Sequence, residues 1–420
     1  MALRMRWFGW VGLLAVVATL TLELRQVRAQ TLNEGWNKLE EKYSGAARNL
    51  ALGFLKGARV DPNDRNHQEA IDLFAKTLTY GVYLQKLDAQ PNAIAKDFDA
   101  LSNAIDKDIL RARDTQSMQT FQEIFRDKVR IHALEVIQFK DARPIHKLHN
   151  ARVLAEIAKL GQPELATTLI TVLKDSQQTA AVHYYMLKGL TTLIPNLPPP
   201  QQAKCAVALV EFLEQQKGLH KNAAPEEIDG YRVLRREAIR ALAKTHTPAI
   251  DDKVRPALVL ARFAGNDERI QPPPRIDERV EAAIGLARMQ ASPKDRQYQV
   301  DYAAGQIAKC LGALAQAASS ELSNRETPKD TRMHPWRILA ATLKEALDDL
   351  KKRTEKNQYV AKIADQGGKV LNQIIKGEQI RGNELTWWTS PDSDPPSKEL
   401  FQGSPDSVVK PAPPGEQSEK

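Results

Sequence analysis

Val153-Leu154-Ala155-Glu156-Ile157-Ala158, Ala238-Ile239-Arg240-Ala241-Leu242-Ala243 and Ala282-Ala283-Ile284-Gly285-Leu286-Ala287 share one pattern of small residues around a leucine or isoleucine. Each has its large apolar residues at helical spacing, and no convincing period-2 strand stands anywhere in the chain. Aligning Ile157, Leu242 and Leu286 gives separations of 85 and 44 residues, close to two units and one. Leu190, in Met186 to Leu190, fills the matching position in the gap. A helix pair cannot bury its apolar face alone, so a recurring pattern of this length predicts neighbours that stack and supply the missing core. Ala155, Ala238 and Ala283 allow helices to approach closely, and Leu154, Leu187, Leu242 and Leu286 supply apolar area.

Around these segments, helix breakers recur at short intervals from about residue 141: Gly161-Gln162-Pro163, Asp175-Ser176, Pro195 to Pro200, Pro248, and Pro272 to Pro274. First helices open at Pro163-Glu164-Leu165-Ala166-Thr167-Thr168-Leu169 and run over Gln202 to Leu209. Second helices are expected at 150–160, 180–193, 231–244 and 277–289, with a later pair at 300–318 and 335–352. Inserts at 195–201 and 217–229 stretch the period. Upstream, helices are expected over 31–57, 67–87, 93–113 and 117–139, with a turn at Asp61-Pro62-Asn63-Asp64.

These features resemble the HEAT-type and armadillo-like helical repeat families, in which each unit of about 40 residues is an antiparallel helix pair. The resemblance covers about 145–355. It implies an all-α chain: a right-handed α-solenoid of antiparallel helix pairs over 141–380, with an N-terminal helical cap over 30–140. The alternative is an irregular multi-helix bundle.

Composition agrees with thin helical layers. Of the 420 residues 42% are apolar but only 6% aromatic, and Leu, Ala, Ile and Val dominate. Two cysteines, Cys205 and Cys310, exclude a disulfide scaffold and a four-cysteine zinc or iron–sulfur site; both lie on alanine-rich helix faces and are expected as buried thiols. Arg4 and Arg6 precede an apolar run from Trp7 to Leu22, and Val27-Arg28-Ala29 fits a signal-peptidase site. Residues 1–29 are therefore expected to be a signal peptide of a periplasmic or secreted protein. The alternative is a membrane anchor over residues 7–22. The net charge of +8 comprises +3 from residues 1–29, −3 from 391–420 and about +8 from the body. With seven prolines, 391–420 is expected to be disordered, and the Pro-rich tail region is drawn from 381. Trp387 and Trp388, just before it, are expected to cap the last helices.

Few residues of the chain fall into a pattern that carries chemistry. His146 and His149 share an i,i+3 spacing, but they lack the further ligands a zinc ion needs and are read as an exposed polar helix start. Asp61, Asn63 and Asp64 suggest a calcium loop until Arg65 and Asn66 fall where a ligand and the glycine should be. Glu226-Glu227 and Asp348-Asp349 read as solvated surface acids. No motif calls for a cofactor or metal. The one notable feature is a basic stripe, Arg232, Arg236, Arg240 and Lys244, recurring every four residues. Like charges at i,i+4 repel by a few tenths of a kcal/mol per pair unless neutralised. One reading makes the stripe a binding surface, extended by Lys253, Arg255, Arg262, Arg279 and Arg288. The other makes it a wet face with Glu227, Asp229 and Glu237 as counter-charges. The function expected is a non-enzymatic protein–protein interaction or scaffolding module, exported from the cytoplasm, whose partner is a protein or an anionic envelope polymer. The alternatives are polyanion or nucleic-acid binding through the stripe, against which the export signal argues, and a helical-toroid carbohydrate-active enzyme. Membrane contact is expected only if the N-terminal segment stays uncleaved.

Overall fold

The computed structural model describes residues 45–80, 103, 116–214, 223–291, 297–323 and 329–402. Among the described residues the chain is all-helical, with 14 α-helices and no strand. The signal peptide 1–29, the anchor alternative 7–22 and, Asn103 excepted, the helix expected at 93–113 lie outside the described residues. No helix among the described residues is long and apolar enough to cross a membrane.

Two compact units meet between Thr168 and Leu169, not near residue 140 as the breaker pattern suggested. The first holds α1 (Ala46–Leu55), α2 (Arg65–Thr79), α3 (Gln116–Gln138) and α4 (Pro144–Ile157). Helix α4 belongs here because it packs against α3 and α2. The Asp64 carboxylate accepts a bond from the Asn66 amide at 2.8 Å and so caps the first turn of α2, the use its aspartate-rich turn makes of side chains a calcium loop would have needed. Phe54, Phe121 and Phe125 are fully buried, with ring centroids 6.3 and 5.4 Å apart along the series. His146 and His149, expected on an exposed helix start, are both buried. His149 Nε2 meets the Leu78 carbonyl at 3.0 Å, and Asn150 Nδ2 donates to the Thr79 carbonyl at 3.0 Å. These polar groups of α4 satisfy the carbonyl end of α2, which is why they are inside.

A polar cluster ties α2 to α3 in the same unit. His132 Nε2 lies 2.8 Å from Asp72, and its Nδ1 lies 3.0 Å from the Tyr80 hydroxyl and 3.5 Å from Glu135. Lys76 joins Asp72 at 2.7 Å and Lys128 stands 3.8 Å from it. Burial opposes both charges here. The bond and charge of Asp72 nevertheless hold His132 above its ordinary range, and His132 and Lys76 hold Asp72 well below the usual carboxylate range.

Helix α5 (Pro163–Lys174) spans the boundary. The second unit continues with α6 (Ala180–Leu193), α7 (Pro199–Glu214), α8 (Pro225–Ala243), α9 (Pro256–Gly265) and α10 (Ile276–Arg288), then α11 (Val300–Ser323), α12 (Lys329–Arg353), α13 (Gln358–Lys376) and α14 (Gly382–Trp387). Prolines stand first in α4, α5, α7, α8 and α9, where a missing N–H costs nothing. Helix α8 begins at Pro225, so the second half of the expected insert 217–229 is its first turn. Helix α12 runs through Pro335 instead of starting there. Packing alternates: α6, α8, α10 and α12 touch in series, as do α7, α9, α11 and α13, and the two rows join between α7 and α8, α9 and α10, and α12 and α13. Cys205 and Cys310 are free and buried in this core, where burial pushes both thiols up to about 12.

The tail drawn from 381 starts too early. Helix α14 lies within it, and the chain stays packed to Gln402, with Trp388, Leu400 and Phe401 all buried. Gly305 and Gly312, two turns apart on α11, receive Pro395 and Trp388. A Cβ on Gly305 would sit 2.6 Å from Pro395, and one on Gly312 would sit 2.7 Å from Trp388. The strap is then pinned by backbone bonds from Gln299 N to Leu400 O at 2.8 Å and from Gln402 N to Gln297 O at 2.9 Å. Proline content pointed to disorder, but two apolar residues and a glycine-floored groove outweigh it. Residues 403–420 lie outside the described residues.

Candidate functional site

The basic stripe lies where α8 packs on α10. Ala238, Ile239, Ala241 and Leu242 are buried, which turns Arg232, Arg236 and Arg240 toward the edge of that contact. Arg236 Nη1 bonds to Asp277 at 2.8 Å. Arg240 Nε bonds to Glu281 at 3.0 Å, and its Nη1 to the buried Glu237 at 2.7 Å. Arg232 Nη2 donates to the Pro273 carbonyl at 3.2 Å, with Asp229 3.8 Å from Nη1. Arg275, which precedes α10, completes the seam through Asp277 at 2.8 Å and Asp229 at 3.3 Å. Lys244 caps the end of α8 and has no ion-pair partner among the described residues.

The arginines that repelled one another in the sequence are thus neutralised by acids at matching i,i+4 spacing on the neighbouring helix. Burial raises the Asp277 carboxyl, but bonds from Arg275 and Arg236 overcome it and hold the group below its ordinary range. Burial likewise works against the charge on Arg240, whose basicity is raised by Glu281 and Glu237. Of the counter-charges expected locally, Asp229 and Glu237 serve that role. Glu227 instead accepts the Ala224 backbone N–H at 3.1 Å at the start of α8. Of the other candidate extensions, Arg279 is held by the Ala264 and Lys309 carbonyls, Arg255 lies over the Phe401 ring and Arg262 stands near Glu214, while Lys253 and Arg288 have no ion-pair partner among the described residues.

Behind the seam stands a pair the stripe spacing did not reveal. Arg235 Nε bonds to Glu278 Oε1 at 2.5 Å and its Nη2 to Oε2 at 3.0 Å, with the two side chains 1% and 0% exposed. Arg235 Nη1 also donates to the Pro272 carbonyl at 2.8 Å, and the guanidinium lies 5.3 Å from the ring centres of both Tyr231 and Phe263. Glu278 accepts the Arg275 backbone N–H at 2.7 Å, closing the first turn of α10. A signal existed. Arg235, Ala238 and Leu242 share one helix face, so a charge stood at a core position and called for a buried partner.

Chemically, this arrangement joins and orients helices. Every arginine on it has an acceptor within the chain, and among the described residues no group of three or more metal-ligating side chains comes together. Trp387 and Trp388 stand edge-on at 4.7 Å, Trp388 against Gly312 of α11, with Lys362 5.8 Å from the Trp387 ring. Comparison with known protein families, with curated proteins and with solved structures finds no match for the chain.

Proposed function

We propose that the second unit is a HEAT-like α-solenoid whose role is non-enzymatic, a scaffold or protein-interaction module working outside the cytoplasm. One observation carries this reading. Arg232 meets Pro273, Arg236 meets Asp277 and Arg240 meets Glu281, so three successive turns of α8 contact the segment that leads into α10 and the first two turns of α10 at a constant offset of 41 residues. A constant offset means that the two helices run parallel, with α9 returning between them. A parallel register one repeat apart is what stacked antiparallel pairs produce, and 41 residues falls within the family's unit length. The two rows of next-but-one contacts support the same arrangement. Within a stack of this kind, function resides in the outward faces of a row, which present an extended surface for a protein partner.

On this reading the stripe is a joint between repeats, and the partner engages surface outside it, such as the Tyr184–Lys188 face of α6, where Lys188 is exposed over the Tyr184 ring at 5.5 Å. The test is capture from the native cell envelope with residues 30–420, followed by calorimetry of the chain with the purified candidate. Saturable binding that survives moderate salt, and that weakens with Tyr184→Ala and Lys188→Glu, is the expected result. Recovery of anionic polymer alone, lost as salt rises, would overturn it in favour of polyanion binding.

A further inference from the structure

A cleft of about 450 Å³ opens where α9 ends against α11, lined among others by Arg262, Gly265, Asn266, Gln306 and Lys309. Gln306 is only 6% exposed, yet its amide makes no hydrogen bond among the described residues. Its amide therefore keeps donor and acceptor capacity for a partner that enters the cleft. Arg262 is in a similar position. Its Nε is buried without an acceptor, and its nearest carboxylate, Glu214, stands 3.6 Å from Nη1, too far for a charge-assisted hydrogen bond. Lys309 is exposed, and its ammonium has no ion-pair partner among the described residues.

Of the acids nearby, Asp267 feels the Arg262 charge but its carboxylate forms no hydrogen bond with that guanidinium. The Asp267 carboxylate is engaged by Arg269 through bonds of 2.8 and 3.0 Å, and Glu268 is exposed. The carbonyl end of α9, which would repel an anion, is covered by Arg279, whose Nε donates to Ala264 O at 3.2 Å. Gly265 keeps the site open. Its backbone is not in the left-handed region, so the conformation does not require glycine. A Cβ there would, however, sit 2.1 Å from Gln306 Oε1.

We propose that this cleft binds a small ligand bearing an oxyanion, a carboxylate or a phosphate, gripped by Arg262 and Lys309 with the Gln306 amide donating a further hydrogen bond. The chemistry suits either anion, since a guanidinium and an ammonium recognise both and a neutral amide adds direction without adding repulsion. This site is independent of the seam on α8 and of any protein partner.

The test is a thermal-shift titration of the full chain with inorganic phosphate and, separately, with succinate, at constant ionic strength. A saturable rise in Tm with at least one anion is expected; phosphate alone points to a phosphoryl ligand and succinate alone to a carboxylate. Lys309→Gln, at an exposed position, is expected to weaken that anion about tenfold. Gln306→Leu is expected to weaken it too while leaving the ligand-free Tm nearly unchanged, because the amide makes no hydrogen bond within the described chain to lose. Lys188→Gln, outside the cleft, is expected to respond like the wild type. No saturable rise with either anion would overturn the proposal. So would equal responses from the wild type, Lys309→Gln and Gln306→Leu.

Discussion

Arg235 on α8 and Glu278 on α10 form a two-point ion pair sealed from solvent, with bonds of 2.5 and 3.0 Å. Each guanidinium nitrogen and each carboxylate oxygen of the pair has a partner, with the Pro272 carbonyl and the Arg275 backbone N–H adding to the two mutual bonds. Removing one member strands the other charge in the core. Arg235→Met or Glu278→Gln is expected to cost about 3–5 kcal/mol in urea unfolding. The double variant Arg235→Met/Glu278→Leu is expected to recover a large part of that loss, because two apolar side chains strand nothing. A double variant as unstable as the sum of the singles would show that the geometry, not the charge, is what the fold requires.

The seam itself is half-exposed, and each of its pairs is expected to contribute only about 0.2–1 kcal/mol. Arg236→Glu/Arg240→Glu does more than delete them, since it places two new acids against Asp277, Glu281 and Glu237. Its midpoint in urea is expected to fall further than that of the corresponding alanine variant. Adding Asp277→Arg and Glu281→Arg restores opposite charges at the same 41-residue offset and is expected to return part of the lost stability, the rest being withheld because Arg275 and Glu237 now face like charges. Without that rescue, the parallel register of α8 and α10 would be in doubt.

The His132 cluster predicts a bell-shaped dependence of stability on pH. His132 is raised above 6.5 in the folded chain, so its contribution is full below 6.5 and is lost as pH rises through its folded value. Asp72 is lowered from 3.8, so its contribution is present above 3.8 and is lost as pH falls through its folded value. The cluster therefore stabilises most between about 3.8 and 6.5. His132→Gln is expected to flatten the alkaline limb of a Tm-versus-pH curve measured up to pH about 9. An unchanged limb would mean that other groups set it.

The C-terminal strap gives a boundary experiment. A chain ending after Gln402 keeps the contacts of Leu400, Phe401, Pro395 and Trp388, and its Tm is expected to match the full chain. A chain ending after Ser390 exposes the sites of Leu400 and Phe401 and is expected to lose about 3–5 kcal/mol at most. Gly312→Val, which would drive a side chain into Trp388, is expected to mimic part of that loss. Equal melting of all these chains would show that the strap adds nothing to the second unit.

Helical class and some helix starts were legible in the residues themselves. Pro163 and Ala180 begin helices where expected, whereas prolines 144, 199 and 225 open helices expected to start three to six residues later and Pro256 opens one that was not expected, although a proline ring presets φ and its missing N–H is harmless in a first turn. Apolar spacing likewise marked Ala238, Leu242, Ala283 and Leu286 as core, and all four are buried. These are local properties, decided within one or two turns. What only the tertiary structure decided is which charges meet. Arg235 and Arg236 are adjacent in the chain, yet one is sealed in the core and the other lies half-exposed, because a helix turns its neighbours about 100° apart and the packing of α10 chooses the face. The acids that neutralise the stripe lie 41 residues away, beyond the reach of any i,i+4 argument. The strap is another long-range decision. Pro391 to Gln402 has a composition suited to disorder, yet it is packed because Gly305 leaves room for Pro395, 90 residues later, and because Leu400 and Phe401 are buried. Helix and core follow from near neighbours and solvent; pairing, neutralisation and docking follow from which surfaces the stack brings together.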